Sequence, residues 1–248
     1  MEGVKEHYER LLARHYSWMF GGSFEEKVSE QRTILEDALH CAGIRSLSGL
    51  ALDLGCGPGY QSMALAQLGF SPVIAIDTSA TLLDELRSHA QRLSIQTVED
   101  DVLHLDRYVA ECSANVLVCM GDTITHLENR EDVMNLLRAA SKALANGGAF
   151  VITYRDLSHE LRGVDRFIPV HSDDGRVMTC FLEFDQPESA MVHDLVYEKE
   201  ASDWKLQKSC YRKLRLPTDW LEQAMTSAGF VVHRGLAGRM TRLVGIKP

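Results

Sequence analysis

The short apolar run Ala51-Leu52-Asp53-Leu54 ends in the turn Gly55-Cys56-Gly57-Pro58-Gly59, and a helix-like pattern follows. Strand, tight turn and helix in that order commit this part of the chain to a βα unit. Glycines at alternate positions accept positive φ and leave no Cβ between the backbone and a ligand. The helix that follows starts with N–H groups that lack intrahelical partners. The register is G-x-G-x-G, not the G-x-G-x-x-G of dinucleotide folds, and Tyr60 takes the place of the last glycine. A bulky residue there disfavours close helix–strand packing and argues against a nicotinamide oxidoreductase. Pro58 suits the first turn of the helix. A plain βα turn, with glycines only for tightness, is the alternative.

The flanking rhythm extends this unit into a doubly wound α/β sheet. Strands are predicted at 50–54, 72–76, 94–99, 115–120 and 149–154. Helices fall at 58–68, 80–92 and 130–145, with an irregular piece at 103–112. Strands alternating with helices imply a parallel sheet with right-handed crossovers. After Asp156 the pattern changes. Segments 177–185, 191–200 and 205–216 read as three strands with no helix between them, an antiparallel meander. A helix capped by Thr218 and closed by Gly229, then strands at 230–233 and 243–246, complete the pattern.

Ahead of the core, a helix is expected from Glu2 to about Ala13. After Gly21-Gly22, Ser23 and Glu26 have the spacing of a capping box. The expected organisation is a single domain over 1–248: an N-terminal helical cover at 1–48, a ligand-binding core at 49–156, an antiparallel three-stranded insertion at 157–216, and a last helix and strand pair at 217–248 completing a seven-stranded, mostly parallel sheet.

In open sheets of this kind ligands bind beyond the carboxyl ends of the strands. The glycine turn, Asp77, Asp101, Met120-Gly121-Asp122 and Arg155 all fall at such ends. Asp77 closes the second apolar run, 22 residues after Gly55, where an acid accepts from ribose hydroxyls in doubly wound folds. Thr78 and Ser79 follow it, so a helix cap is the competing role.

Glycine turn, Asp77, Asp101-Val102 and Met120-Gly121-Asp122, in that order, resemble class I S-adenosylmethionine-dependent methyltransferases over Leu52 to Leu127. The stretches Val118–Leu127 and Val151–Asp156 resemble small-molecule N-methyltransferases of the glycine N-methyltransferase type. The resemblance implies S-adenosylmethionine as cofactor and S-adenosylhomocysteine as product. Gly55, Cys56 and Gly57 would back the methionine part, and Asp77, with Thr78 beside it, would hold the ribose. Asp101 would accept from the adenine amine, Val102 would donate its backbone N–H, and Met120 would pack on the adenine or ribose next to Gly121. Asp53 would reach the cofactor amine through water, and Tyr16 and Trp18 would close over the cofactor from the N-terminal segment. The meander would cover the substrate. The implied reaction is in-line methyl transfer, driven by orientation, to a nitrogen of an amine or amino-acid-like small molecule. The alternatives are O-methylation of a small carboxylate or phenol, and cofactor binding without catalysis.

Three residues are candidates for acceptor chemistry. Asp122 departs from the amide side chain of glycine N-methyltransferases. It would attract a cationic amine and accept its proton, or else serve as a helix cap or a partner for Arg155. Arg155 matches the arginine that grips a substrate carboxylate in that family, a task that suits its fork of donors; an ion pair with Asp156 or Asp122 is the structural alternative. His126, with an ordinary pKa of about 6.5, suits a proton acceptor, a cofactor neighbour or a core histidine. Tyr154, Tyr197 and Tyr211 are further pocket candidates. For Tyr16 and Trp18, packing under a loop competes with ligand contact.

Composition narrows the partners. The net charge is −9, and no Lys/Arg stripe is present to track a phosphate backbone. No apolar run approaches the roughly 18 residues of a membrane span, and Met1–Glu6 has no apolar leader core. Cys41, Cys56, Cys112, Cys119, Cys180 and Cys210 show no metal-ligand spacing and read as reduced thiols. The expectation is a cytoplasmic enzyme with a small-molecule substrate and no metal, nucleic-acid partner or membrane partner; homo-oligomerisation is left open.

Overall fold

The computed structural model describes residues 3–248; the expected helix start at Glu2 lies outside them. The N-terminal segment is a chain of helical pieces: Val4–His7 (α1), a π-turn at Tyr8–Leu12, a 3-10 turn at Ala13–His15 and Tyr16–Phe20 (α2). Ser23 then opens Phe24–Cys41 (α3) with both halves of the capping box, its hydroxyl accepting from the Glu26 N–H at 3.2 Å and its own N–H donating to Glu26 at 2.7 Å. Such a cap contributes about 1 kcal/mol.

The core follows as Gly49–Leu54 (β1), Tyr60–Leu68 (α4), Phe70–Asp77 (β2), Ala80–His89 (α5), Ile95–Glu99 (β3), Ala114–Cys119 (β4), Arg130–Ala143 (α6) and Leu144–Tyr154 (β5). After it come Phe167–Ser172 (β6), Arg176–Glu183 (β7), Ser189–Glu200 (β8), Asp203–Leu214 (β9), Thr218–Ser227 (α7), Val231–Ala237 (β10) and Met240–Ile246 (β11).

The main sheet has seven strands in the order β10-β11-β5-β4-β1-β2-β3. β1 to β5 pair in parallel, and β11 lies antiparallel to both β5 and β10. The strand order turns back between β1 and β4, which opens the crevice where ligands of such sheets bind. The central strands read as unbroken apolar runs because both of their faces are covered. Leu52, Leu117, Phe150 and Ile152 pack with α6 and α7 on one side. Ala51, Val116, Val118 and Val151 pack with α3 and α4 on the other.

A separate antiparallel sheet, β6-β7-β8-β9, stands over this crevice. It has one strand more than the sequence pattern predicts. β6 escapes prediction because Pro169 interrupts it and its register slips between Pro169 and His171; proline is tolerated in a sheet at an edge or a bulge. The N-terminal pieces run between the two sheets, with Leu11 and Leu12 packed on Met178 and Val196 of the second one.

Candidate functional site

The turn after β1 is clipped to the neighbouring strand: the N–H groups of Gly55 and Cys56 both donate to the Ile76 carbonyl, at 2.8 and 3.0 Å. Gly57 N–H donates to the Asp77 carboxylate at 2.8 Å, and Ser79 N–H to its other oxygen at 2.9 Å. Asp77 thus ties the turn to the start of α5 while lining the cavity. Burial pushes its carboxyl up from the usual range against the pull of these backbone donors.

Gly55 has φ +72°, and a Cβ there would stand 2.3 Å from Thr123. Gly59 has φ +95° and a Cβ would stand 2.1 Å from Leu86, so this third glycine lets α5 approach. With Gly59 left-handed, the helix starts at Tyr60 and Pro58 stays in the turn. Tyr60 is buried, its ring tilted against that of Phe24 with centres 5.1 Å apart, and donates to Ser17 at 3.1 Å. Its bulk therefore anchors the N-terminal segment.

The cavity lies beyond the ends of β1, β2 and β4. Gly55, Gly57, Asp77, Thr78, Asp101, Val102 and Gly121 line it from below, with Tyr8 and Tyr16 above and His126 at its back. A Cβ on Gly57 would meet the Tyr16 ring at 3.6 Å. Asp101 also caps the short helix behind it, accepting from Leu103 N–H at 2.9 Å.

Next to the cavity, Asp122 sits on a left-handed residue at φ +80° and is 2% exposed. Its carboxylate accepts from the Arg155 N–H at 2.6 Å, from the Arg155 guanidinium, and from Lys213 Nζ at 2.9 Å. Burial alone would raise this carboxyl; Lys213 and Arg155 outweigh burial and hold it down at about 2. The imidazole of His126 is pushed down to about 3 by burial and by the Lys213 charge, so it is neutral at ordinary pH. Its Nε2 has no hydrogen-bond partner, and its ring stands 5.8 Å from Tyr8 and 5.4 Å from Tyr211. Burial raises the phenols of Tyr8, Tyr16 and Tyr211, so all three keep their protons.

Comparison with known proteins bears on the fold that carries this cavity. Residues 51–148 match the family model described as a methyltransferase domain. Glycine N-methyltransferase of Oryctolagus cuniculus is 27% identical over 174 residues, 64% of this chain and 57% of that protein. The chain spans about half the length of the curated relatives it matches, 57% of this one and 44% of the cypemycin N-terminal methyltransferase of a Streptomyces species, which is 33% identical over 45% of the chain. The CcbJ methyltransferase from Streptomyces caelestis superposes with a TM-score of 0.77, at 20% identity, over 98% of each chain. The fold is that of the class I S-adenosylmethionine-dependent methyltransferases. Within it the chain resembles enzymes of the glycine N-methyltransferase type.

Several expected site residues of this methyltransferase fold stand elsewhere. Trp18 is turned away from the cavity: its indole N–H donates to Asp173 at 2.6 Å and the Arg176 guanidinium lies 4.5 Å above its ring. Two residues apart on one helix, Tyr16 and Trp18 cannot share a face. Asp53 is buried beneath the turn, bound by the Ser62 hydroxyl at 2.6 Å, with its carboxyl raised by burial to about 7. The Cys56 thiol is buried and raised far above its usual range, and Met120 is 4% exposed beneath the cavity floor. Arg155 pairs with Asp122, not Asp156, which instead caps α7 by accepting from Thr218 at 2.8 Å. Tyr154 is buried against Thr218 and Tyr197 faces outward, while Tyr211 points to the site.

Tyr8 and Lys213 are the residues that sequence reasoning missed. Lys213 had a legible signal: a charge two residues after Tyr211, on the same face of a strand whose partners there are buried. Tyr8 had none beyond its aromatic type.

Among the described residues no helix is long and apolar enough to cross a membrane, and no cluster of acids, histidines and cysteines could hold a metal.

Proposed function

We propose that this chain transfers a methyl group from S-adenosylmethionine to the nitrogen of a small, acid-bearing amine. The observation that carries the reading is the cavity at the sheet's switch point, lined by Asp77 and a Cβ-free turn, with a charged set carrying one excess cation next to it, beyond Gly121 and His126. The residues present fit the cofactor. Gly57 and Gly121 leave open backbone where a Cβ would intrude or stand exposed, and Asp77 offers remaining lone pairs for ribose hydroxyls. Gly55, Gly57, Asp77, Thr78, Asp101, Val102 and Gly121 would hold it, under Tyr8 and Tyr16. Bound there, the cofactor supplies a methyl group already activated by a sulfonium charge.

The protein's own work is alignment. Fixing acceptor and methyl group in line is worth about 7–11 kcal/mol. Protonated phenols at Tyr8, Tyr16 and Tyr211 exclude water and offer oxygen lone pairs to an amine. Neutral His126 presents a free Nε2, ready to accept from an amine N–H. The acid side of the acceptor meets Arg155, whose side chain is 57% exposed while one nitrogen is engaged by Asp122. Asp122 itself is spent on Arg155 and Lys213, so a cationic group of the substrate is not its partner. Six unpaired cysteines support a reducing compartment, the cytoplasm, and the acidic chain supports a small-molecule acceptor rather than nucleic acid.

Isothermal titration with S-adenosylmethionine and S-adenosylhomocysteine, then methyl transfer from labelled cofactor to a panel of amino acids, simple amines, carboxylates and phenols, tests the reading. Binding with turnover of an amino acid or related zwitterion is expected. Absence of cofactor binding overturns the whole reading; binding with turnover only of phenols or uncharged amines overturns the acceptor class.

A further inference from the structure

Two tripeptides of the N-terminal segment, His7-Tyr8-Glu9 and His15-Tyr16-Ser17, are arranged alike. In each the tyrosine lines the cavity from above. In each the histidine turns to β8: His7 Nε2 lies 3.0 Å from the Asp194 carboxylate, and His15 Nε2 4.0 Å from that of Glu198. In each the third residue turns to α5 and its cap: Glu9 accepts from the Ser79 hydroxyl at 2.6 Å, and the Ser17 hydroxyl donates to Glu85. Consecutive helical residues point about 100° apart, so three neighbours reach three different elements. The rise of eight helical residues, about 12 Å, also matches the four strand steps from Asp194 to Glu198, about 13 Å.

The first tripeptide is held more firmly. His7 is 0% exposed and Asp194 4%, and a hydrogen bond to a carboxylate sealed from water escapes screening. With Nε2 turned to Asp194, the other ring nitrogen of His7 has no partner, and the ring packs 4.5 Å from Tyr211. His15 stands beyond hydrogen-bond reach of Glu198, with both ring nitrogens unpartnered. Neither His7 nor Glu9 lines the cavity, so neither meets a reacting group. Both flank a residue that does.

We propose that His7 and Glu9 are positioning residues: by pinning the chain on either side of Tyr8, one to the second sheet and one to the start of α5, they fix its phenol over the cavity and set the affinity for the cofactor. The inference rests on the reading of the cavity as the cofactor site. α1 has only the four residues Val4–His7, and isolated helices shorter than about 12–15 residues are marginal in water. Its place over the cavity therefore comes from outside contacts. Ser79 follows Asp77 and Thr78, so the Glu9 bond ties Tyr8 to the corner proposed for the ribose.

Isothermal titration of the full chain with S-adenosylhomocysteine tests this. His7→Leu and Glu9→Ala should each lower affinity about tenfold, the loss of one hydrogen bond to a charged group. In a Tyr8→Leu background the same changes should cost less than twofold, because no phenol is left to position. His7→Gln keeps a donor for Asp194 and should recover most of the loss. If His7→Leu fails to fold, Glu9→Ala, at an exposed position, carries the test. Wild-type affinity in a folded single variant, or a tenfold loss that persists without Tyr8, overturns the proposal. A wild-type chain that binds no S-adenosylhomocysteine overturns the cofactor reading, and the proposal with it.

Discussion

The two sides of the cavity are built by different means. The side proposed for the cofactor is backbone and carboxylate, drawn from the ends of β1 and β2 and from the start of the piece after β3. Its geometry comes from three left-handed glycines and the bonds that clip the turn to Ile76 and Asp77. The side proposed for the acceptor is side chain against side chain: Tyr8 and His126 line the cavity, and Asp122, Arg155, Tyr211 and Lys213 stand next to it. What holds it is charge. A turn can serve a group of constant chemistry from local sequence alone, whereas the acceptor side depends on distant segments arriving with their charges balanced.

The contrast can be broken by substitution. Asp122→Asn strips the carboxylate from between Lys213 and Arg155 and leaves two cations facing each other, one of them buried. The expected loss is about 3 kcal/mol of stability, in line with breaking a buried pair, with cofactor affinity in the folded fraction changed less than threefold. Thermal denaturation and titration together check it; a large loss of cofactor affinity would mean that the two sides are not separable. The same carboxylate adds stability above its unfolded pKa of about 3.8 and loses it as pH falls through about 2.

Gly55→Ala attacks the other side. A left-handed alanine and a Cβ 2.3 Å from Thr123 together cost about 2–4 kcal/mol. Cofactor affinity should fall at least a hundredfold while the Asp122–Lys213 pair is untouched. Wild-type affinity in this variant would show that the turn is only structural.

The pH dependence of stability separates the sides further. Asp53 lies under the turn with its carboxyl raised to about 7, so its contribution is complete below about pH 4 and lost as pH rises through 7. His126 lies in the acceptor side with its imidazole lowered to about 3, so its contribution is complete above about pH 6.5 and lost as pH falls through 3. The two oppose each other. In the ligand-free protein Asp53→Asn should make stability climb more steeply with pH by about 1.4 kcal/mol per unit between pH 4 and 7. His126→Gln should tilt it the opposite way by a similar amount. Denaturant midpoints across that range measure both, and parallel curves for all three proteins would refute the assignment.

The smallest effect belongs to Trp18→Phe. It loses the bond to Asp173 and part of the contact with Arg176, worth about 1 kcal/mol or less at an exposed site. Cofactor affinity should stay within twofold, because the indole holds the N-terminal segment to the second sheet and not to the cavity. A tenfold loss by titration would return Trp18 to the site.

The seven-stranded sheet was legible because its signals are short-range. Buried parallel strands read as apolar runs, and helices as 3.6-residue patterns, α3 with its capping box at Ser23; at α5 the cap is Ser79, not the Asp77 that the sequence offers for it. β6 was not legible, because Pro169 and the register slip remove the alternation on which recognition depends. Gly55, Gly57, Asp77, Asp101 and Gly121 could be placed at one crevice from strand order alone, since topology brings strand ends together whatever the side chains do.

The sequence by itself thus determined the sheet, its switch point and the glycine turn beside an acid, for these follow from periodicity and from residues that only a tight turn tolerates. The tertiary structure decided what Asp122, Arg155 and Trp18 do. Charge type alone leaves a carboxylate free to bind a substrate or a neighbour. Only the arrival of Lys213 from β9, 91 residues further along the chain, neutralises it. Only the rotation of a short helix separates Tyr16 from Trp18. Such outcomes depend on which distant groups meet, and burial then makes those meetings strong enough to set charge states.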